Sequence, residues 1–230
     1  MTARGRRPEP EPLGPEGFAA AAGVSRETLG RLEAYADLLR KWQESINLVG
    51  PATLVDLWRR HMLDSAQLVD YLPADPGPER RVVADLGSGA GFPGLVLAIL
   101  GAGHVHLIES SQKKCAFLRE VARITGAKAT VHAARIEDIA RVLPFGPADV
   151  VTSRALARLI DLLALAKPML TPVGVCLLLK GAHVDEELTA ARKEWNMRVE
   201  EWPSATGGSG TILRVAGLRL GGTSIGKSGN

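Results

Sequence analysis

The stretch "VVADLGSGAGFPG", residues 82–94, decides the fold of this chain. An apolar run, Val82 to Leu86, carries one carboxylate, Asp85, and opens into a turn built on Gly87, Gly89, Gly91 and Gly94. Glycines let the backbone take left-handed angles and lie close against a ligand. The apolar run, the glycine turn and a renewed apolar stretch from Leu95 read as strand, loop and helix. That is the ligand-binding corner of an α/β sheet.

Downstream the alternation repeats. Apolar runs at 82–86, 104–109, 128–132, 148–152, 174–180, 198–202 and 211–215 read as strands. Helical stretches near 93–101, 111–125, 135–142, 155–170 and 184–195 fall between them. The pattern implies an α/β fold, a doubly wound, mostly parallel sheet with both faces covered. Ligands in such sheets bind beyond the carboxyl ends of the strands.

Upstream the pattern is helical. Ser25 caps a helix to about Trp42, with Leu29, Leu32, Tyr35, Leu39 and Trp42 on one face. Thr53 and Asp56 read as a capping box for a second helix to about Leu72, and "PADPGPER", 73–80, is a linker. The division is a disordered segment over 1–20, a helical extension over 21–75, a sheet domain over 76–216 and a flexible tail over 217–230.

Composition narrows the class. A hydrophobic fraction of 46% supports a proper core. No apolar run is long enough to span a bilayer, and the charged N-terminus has no apolar block behind it, so a cytoplasmic protein is expected. The two cysteines, Cys115 and Cys176, are far apart and form neither a disulfide framework nor a metal-spaced pair. His104 and His106 alternate on one strand, too few ligands for a metal, and none is expected. A net charge of +3 permits a nucleic-acid partner without demanding one.

Three patterns compete for the ligand. Gly89 to Gly94 matches the dinucleotide spacing G-x-G-x-x-G, a weak signal by itself. Gly221 to Ser228 matches a phosphate loop but opens no helix, because the sequence given stops at Asn230. The third pattern is Asp85 followed by Gly87, Ser88, Gly89 and Gly91. A carboxylate at the strand tip repels a pyrophosphate but attracts the ammonium and sulfonium of S-adenosylmethionine. Glu109, about twenty residues beyond the glycines, reads either as an acceptor for ribose hydroxyls or as a first-turn helix acid. Beyond the third strand, Ile136 and the amide of Glu137 either frame an adenine or simply start a helix.

These residues resemble the bacterial 16S rRNA guanine-N7 methyltransferases, the RsmG or GidB family. The resemblance runs from about Trp42 to Arg214. It rests on "NLVG" at 47–50, "RHMLDS" at 60–65, "DLGSGAGFPG" at 85–94, "ESSQKKCAFLREV" at 109–121, "ARIED" at 134–138, "SRA" at 153–155 and "LLLKG" at 177–181. Glu109 departs from the family's frequent Asp, and "GGSGTILRV" is less basic than the family's usual closing segment. The resemblance implies a seven-stranded class I S-adenosylmethionine-dependent methyltransferase fold with an N-terminal helical extension. It also implies S-adenosylmethionine as cofactor and 16S rRNA, in the small subunit or an assembly intermediate, as substrate. It places Gly87, Phe92, Ile136 and Glu137 along the cofactor and Arg154 at the edge shared by cofactor and substrate. A monomer is expected.

Guanine N7 carries a free lone pair and no proton, so in-line attack on a sulfonium methyl needs no general base. Catalysis is then positioning, which supplies roughly 7–11 kcal/mol when geometry is right. Because the guanine becomes cationic, Arg154 and Lys180 are expected to hold phosphates, the guanine O6 or the cofactor carboxylate rather than N7. Arg60 and Asp64 read either as a helix-surface pair or, with His61, as one wall of the cleft. Lys113 and Lys114 begin a basic helix that is either a solvated face or a phosphate track, so RNA contacts are expected from Arg60, His61, Lys113, Lys114 and Lys180. The rivals are a methyltransferase for another substrate, a binding module without transfer, and an NAD dehydrogenase, against which Asp85 speaks.

Overall fold

The computed structural model describes residues 12–154 and 156–221. Seven strands form one sheet: β1 (Val82–Leu86), β2 (His104–Glu109), β3 (Ala129–Ala133), β4 (Ala148–Arg154), β5 (Leu170–Lys180), β6 (Trp195–Pro203) and β7 (Thr211–Leu220). Their order is β3-β2-β1-β4-β5-β7-β6, with β7 antiparallel to both its neighbours. β1 pairs with β2 on one side and β4 on the other, so the strand order reverses there. The glycine turn after β1 stands at this switch point, where an open α/β sheet forms its ligand crevice.

Helices cover both faces. On one side lie α1 (Pro15–Ala22), α2 (Arg26–Gln43), α5 (Gly94–Ile99) and α6 (Gln112–Thr125), packed on Val83, Val105, Leu107, Val150 and Leu177. On the other lie α7 (Ile136–Val142), α8 (Leu159–Ala166) and α9 (Val184–Glu194), packed on Ala84, Leu86, Ile108, Val151 and Leu178. Neighbouring residues of one strand serve opposite cores, which is why these strands read as unbroken apolar runs.

The N-terminal segment departs from expectation. Residues 15–22, partly inside the stretch read as disordered, form α1, whose Phe18 is fully buried and meets Trp58 at 5.3 Å between ring centroids. Pro15 at the first helical position and Gly23 in a left-handed cap close this short helix, and burying one Phe contributes about 1.5–3 kcal/mol. Residues 1–11 lie outside the described residues. The start of α2 is as predicted, with the Ser25 hydroxyl accepting from the Thr28 amide at 3.2 Å.

The segment read as one helix from Thr53 to Leu72 is instead four short pieces: α3 (Pro51–Leu54), a π-helical turn Trp58–Leu63, α4 (Asp64–Ala66) and a 3-10 turn Gln67–Tyr71. Gly50 rather than Thr53 stands at the start, and Pro51 takes the first position. At the other end β7 runs through Leu220, although residues from 217 read as a loose tail. Pairing of Trp195 with Leu220 and of Asn196 with Arg219 holds that end in the sheet. The phosphate-loop pattern falls, after Gly221, outside the described residues. Among the described residues no helix is long and apolar enough to cross a membrane.

Candidate functional site

Asp85 occupies the penultimate position of β1 and is 1% exposed. Neither carboxylate oxygen has a hydrogen-bond partner. Burial pushes its pKa up to about 7; Ser88 and the Gly94 amide temper the shift, yet neither is aligned to bond the side-chain oxygens. An unsatisfied buried carboxylate is costly, and a cationic ligand group, direct or through water, relieves that cost. This fits the amino group of S-adenosylmethionine and not a pyrophosphate. Glycine is required just beyond it. A Cβ on Gly94 would stand 2.5 Å from Asp85 Oδ2 and 2.5 Å from Leu107 Cδ2. Gly94→Ala is therefore expected to overpack this corner at a cost of about 1–3 kcal/mol and to weaken cofactor uptake at least about tenfold by displacing the carboxylate. Thermal denaturation and calorimetry check this; wild-type values in both would contradict it.

The turn itself is held from the neighbouring strand. Glu109, at the end of β2, accepts the Gly89 amide at 3.0 Å on one oxygen and the Ser111 amide at 2.8 Å on the other. A carboxylate has about four acceptor sites, so two bonds leave capacity for ribose hydroxyls. Ser88 is buried and bonds back to the Asp85 carbonyl at 3.0 Å. Gly91 needs φ +94, and a side chain there would strike the Tyr35 hydroxyl, 2.9 Å from an ideal Cβ. Ala133 is the register partner of Glu109, so α7 starts beyond the same sheet edge with Ile136 half-buried and Glu137 exposed.

Phe92 faces the helical extension rather than open crevice. It is 4% exposed, stacks on Tyr35 at 5.2 Å and 24°, and meets His61 at 4.9 Å. The Arg154 guanidinium stands over its ring at 5.1 Å. Arg154, the last residue of β4, donates to the Arg60 carbonyl at 3.1 Å and to His61 Nδ1 at 2.7 Å, with Asp64 Oδ2 at 3.8 Å. The π-helical turn makes this possible. In an α-helix the Asp64 amide would take the Arg60 carbonyl; here it goes to the carbonyls of Arg59 and His61.

Two expectations are corrected by these contacts. Asp64 pairs with Arg154 rather than, as one of the two readings has it, with Arg60. His61, read as an RNA contact, is 6% exposed and held on both ring nitrogens, facing the protein rather than solvent. Burial and the cations Arg154 and Arg60 lower its pKa to about 3, so its ring is neutral. Asp64 Oδ1 also accepts from Gln67 at 3.0 Å, from Ser204 at 3.0 Å and from Thr206 at 3.4 Å, tying the β6–β7 turn to the extension.

Arg154 also lines an open cleft of about 1100 Å³, together with the basic side chains Arg59, Arg60, Arg158 and Lys180. Its acids are engaged internally. Asp56 accepts the Leu13 amide and pairs with Arg59, while Glu187 pairs with Lys180 at 2.6 Å. Lys180 is thus not a free cation as expected: its side chain is 8% exposed and also donates to the Ala157 carbonyl at 3.1 Å. It braces the segment after β4. Arg60 is exposed. Lys113 and Lys114, in the first turn of α6, do not line this cleft. Leu156 joins cleft and glycine turn, since a Cβ on Gly87 would meet it at 2.6 Å. His104, His106 and His132 cluster elsewhere, and among the described residues no group of three or more potential ligands can hold a metal. Sequence reasoning gave Tyr35 and Thr53 only helix roles and missed Ser204 and Thr206, because the contacts of all four reach across elements with no local signature.

The family described as rRNA small subunit methyltransferase G, GidB, matches residues 28–210. The chain belongs to this family. A ribosomal RNA small subunit methyltransferase G from Rhodospirillum centenum is 58% identical over 91% of this chain and 93% of its own. One from Paramagnetospirillum magneticum is 57% identical over 88% and 95%. In structure, the ribosomal protein L11 methylase from Lactobacillus delbrueckii subsp. bulgaricus aligns with a TM-score of 0.52 at 19% identity, over 66% of this chain and 76% of that one. The fold is that of the class I S-adenosylmethionine-dependent methyltransferases, and the chain is an rRNA methyltransferase. S-adenosylmethionine is its cofactor, and the orphaned Asp85 carboxylate fits that group.

Proposed function

We propose that this methyltransferase modifies N7 of a guanine in 16S rRNA of the small subunit or an assembly intermediate, acting as a monomer in the cytoplasm. The carrying observation is the position of Arg154. One side chain stands over Phe92 of the glycine loop and also lines the basic cleft. A base entering that cleft would meet the methyl donor at Arg154, a cation that both sites share.

The cofactor supplies an electrophilic methyl on a sulfonium. With the cofactor bound, the N7 lone pair would take that methyl in line, and the electron pair of the S–C bond would stay on sulfur. No proton moves. The protein's own groups suit such a reaction. His61, neutral and engaged on both nitrogens, is not available as a base. Asp85 and Glu109 hold the cofactor's ammonium and ribose, with Ile136 and Glu137 at its adenine edge. Arg60 and Arg158, at the rim, hold phosphates; Lys113 and Lys114 lie farther along the path of the RNA.

The test is incubation with labelled S-adenosylmethionine and small subunits from a strain lacking the gene. Mass spectrometry of digested rRNA is expected to find one new 7-methylguanosine. Label on another base or atom, or on protein, would sink this reading.

A further inference from the structure

The Arg154 guanidinium only donates hydrogen bonds. Its 2.7 Å contact with His61 Nδ1 therefore makes that nitrogen an acceptor and puts the ring proton on Nε2. Nε2 faces Thr53 Oγ1 at 2.8 Å, so the ring donates to the threonine hydroxyl. The hydroxyl in turn donates to the Gly50 carbonyl at 2.7 Å. Every link in this chain has a defined direction, from Arg154 through His61 and Thr53 to backbone. The ring is also wedged against Phe92 of the glycine loop. Arg154 thus meets the extension through three acceptors: the Arg60 carbonyl, the His61 ring and the Asp64 carboxylate. Of these, the His61 ring also touches the glycine loop, at Phe92.

We propose that His61 is a positioning residue for methyl transfer: held by Thr53, its Nε2-protonated ring fixes the Arg154 guanidinium where it faces both the glycine loop and the cleft. The inference rests on the reading of Arg154 as the shared group. It gives the helical extension a part in the reaction beyond burying one face of the sheet. It also explains the π-helical turn, which presents the Arg60 carbonyl and the His61 ring to one guanidinium.

Two replacements separate positioning from packing. His61→Phe keeps an aromatic ring against Phe92 but removes the acceptor. His61→Asn places an amide oxygen near the position of Nδ1. With wild-type protein and small subunits, His61→Phe is expected to lower kcat about 30-fold while cofactor affinity by calorimetry stays within about threefold. His61→Asn is expected to recover at least about tenfold of that loss. In an Arg154→Ala background, His61→Phe is expected to change the residual single-turnover rate by less than about twofold, because the two act as one unit. An equal loss in both backgrounds overturns the proposal, as does an Asn variant no better than Phe at matched thermal stability. Should His61→Phe fail to fold, Thr53→Val serves. It leaves the ring in place but unanchored, and is expected to lower kcat about three- to tenfold; unchanged turnover overturns the inference. Methyl transfer by the wild type to some other atom refutes the guanine-N7 reading and leaves these comparisons interpretable.

Discussion

Asp85→Asn is expected to abolish useful cofactor binding and, in the empty protein, to raise stability in neutral and alkaline solution. The two effects have one cause. The Asp85 carboxyl is buried without a partner, and its pKa rises from 3.8 to about 7. A raised acid pKa means that the native state keeps a proton the unfolded chain has released. Native stability therefore falls as pH climbs from about 4 to about 7 and is flat above. At roughly 1.4 kcal/mol per unit, the cost at pH 8 is on the order of 4 kcal/mol. Asn cannot ionise and escapes it. The cofactor's ammonium restores the balance by pairing with the ionised form, so wild-type affinity should weaken up to about tenfold per unit below pH 7. The Asn protein should bind about 100-fold more weakly at pH 8. Calorimetry and thermal melts between pH 5 and 9 check both limbs. A variant with wild-type affinity, or melting differences that ignore pH, would remove Asp85 from the site.

The difference between what the chain announces and what it conceals follows from the range of the interactions. β1, the glycine turn and β2 were legible because each is a local pattern: an apolar run, a left-handed turn, a strand-end acid. Register then follows from the fold: Glu109, at the end of β2, accepts the Gly89 amide of the turn, a bond that neither reading of this acid contains. The extension was half legible. The periodicity of α2 fixed its buried face, whereas Phe18 lies in a Pro- and Gly-rich stretch whose partner, Trp58, is forty residues away. The π-helical turn has no sequence signature, and the partner of the Arg60 carbonyl it frees, Arg154, comes from another element. The same holds for Lys180. Its place at the end of β5 was readable, but its pairing with Glu187 arises from the packing of α9 and turns an expected substrate cation into a brace. The glycine-rich turn after β6 read as an unpromising departure from the family. In three dimensions Gly207 and Gly208 line the cleft, and Ser204 and Thr206 anchor it through Asp64.

Arg154→Ala is expected to lower kcat/KM for the ribosomal substrate about a thousandfold and to leave a folded protein. The size of the loss follows from what the guanidinium joins. It meets the glycine loop at Phe92, the extension at His61, Arg60 and Asp64, and the open cleft. Removing it frees the methyl acceptor from its alignment, and alignment is the larger part of a barrier lowered without acid–base chemistry. The structural cost is smaller. Asp64 keeps its bonds to Gln67 and Ser204, and His61 keeps Thr53, so about 1–3 kcal/mol of stability should go, from two acceptors left without their donor, the Arg60 carbonyl and His61 Nδ1, and one lost ion pair. Arg154→Lys should recover little, because an ammonium cannot reach the carbonyl, the ring nitrogen and the cleft in one plane. The charge survives in that variant and the planar fork does not, so the comparison separates electrostatic attraction of RNA from orientation. If lysine restored turnover, attraction would be the main contribution and the geometry around His61 incidental. If neither variant lost activity, the methyl acceptor would have to approach from another side of the glycine loop.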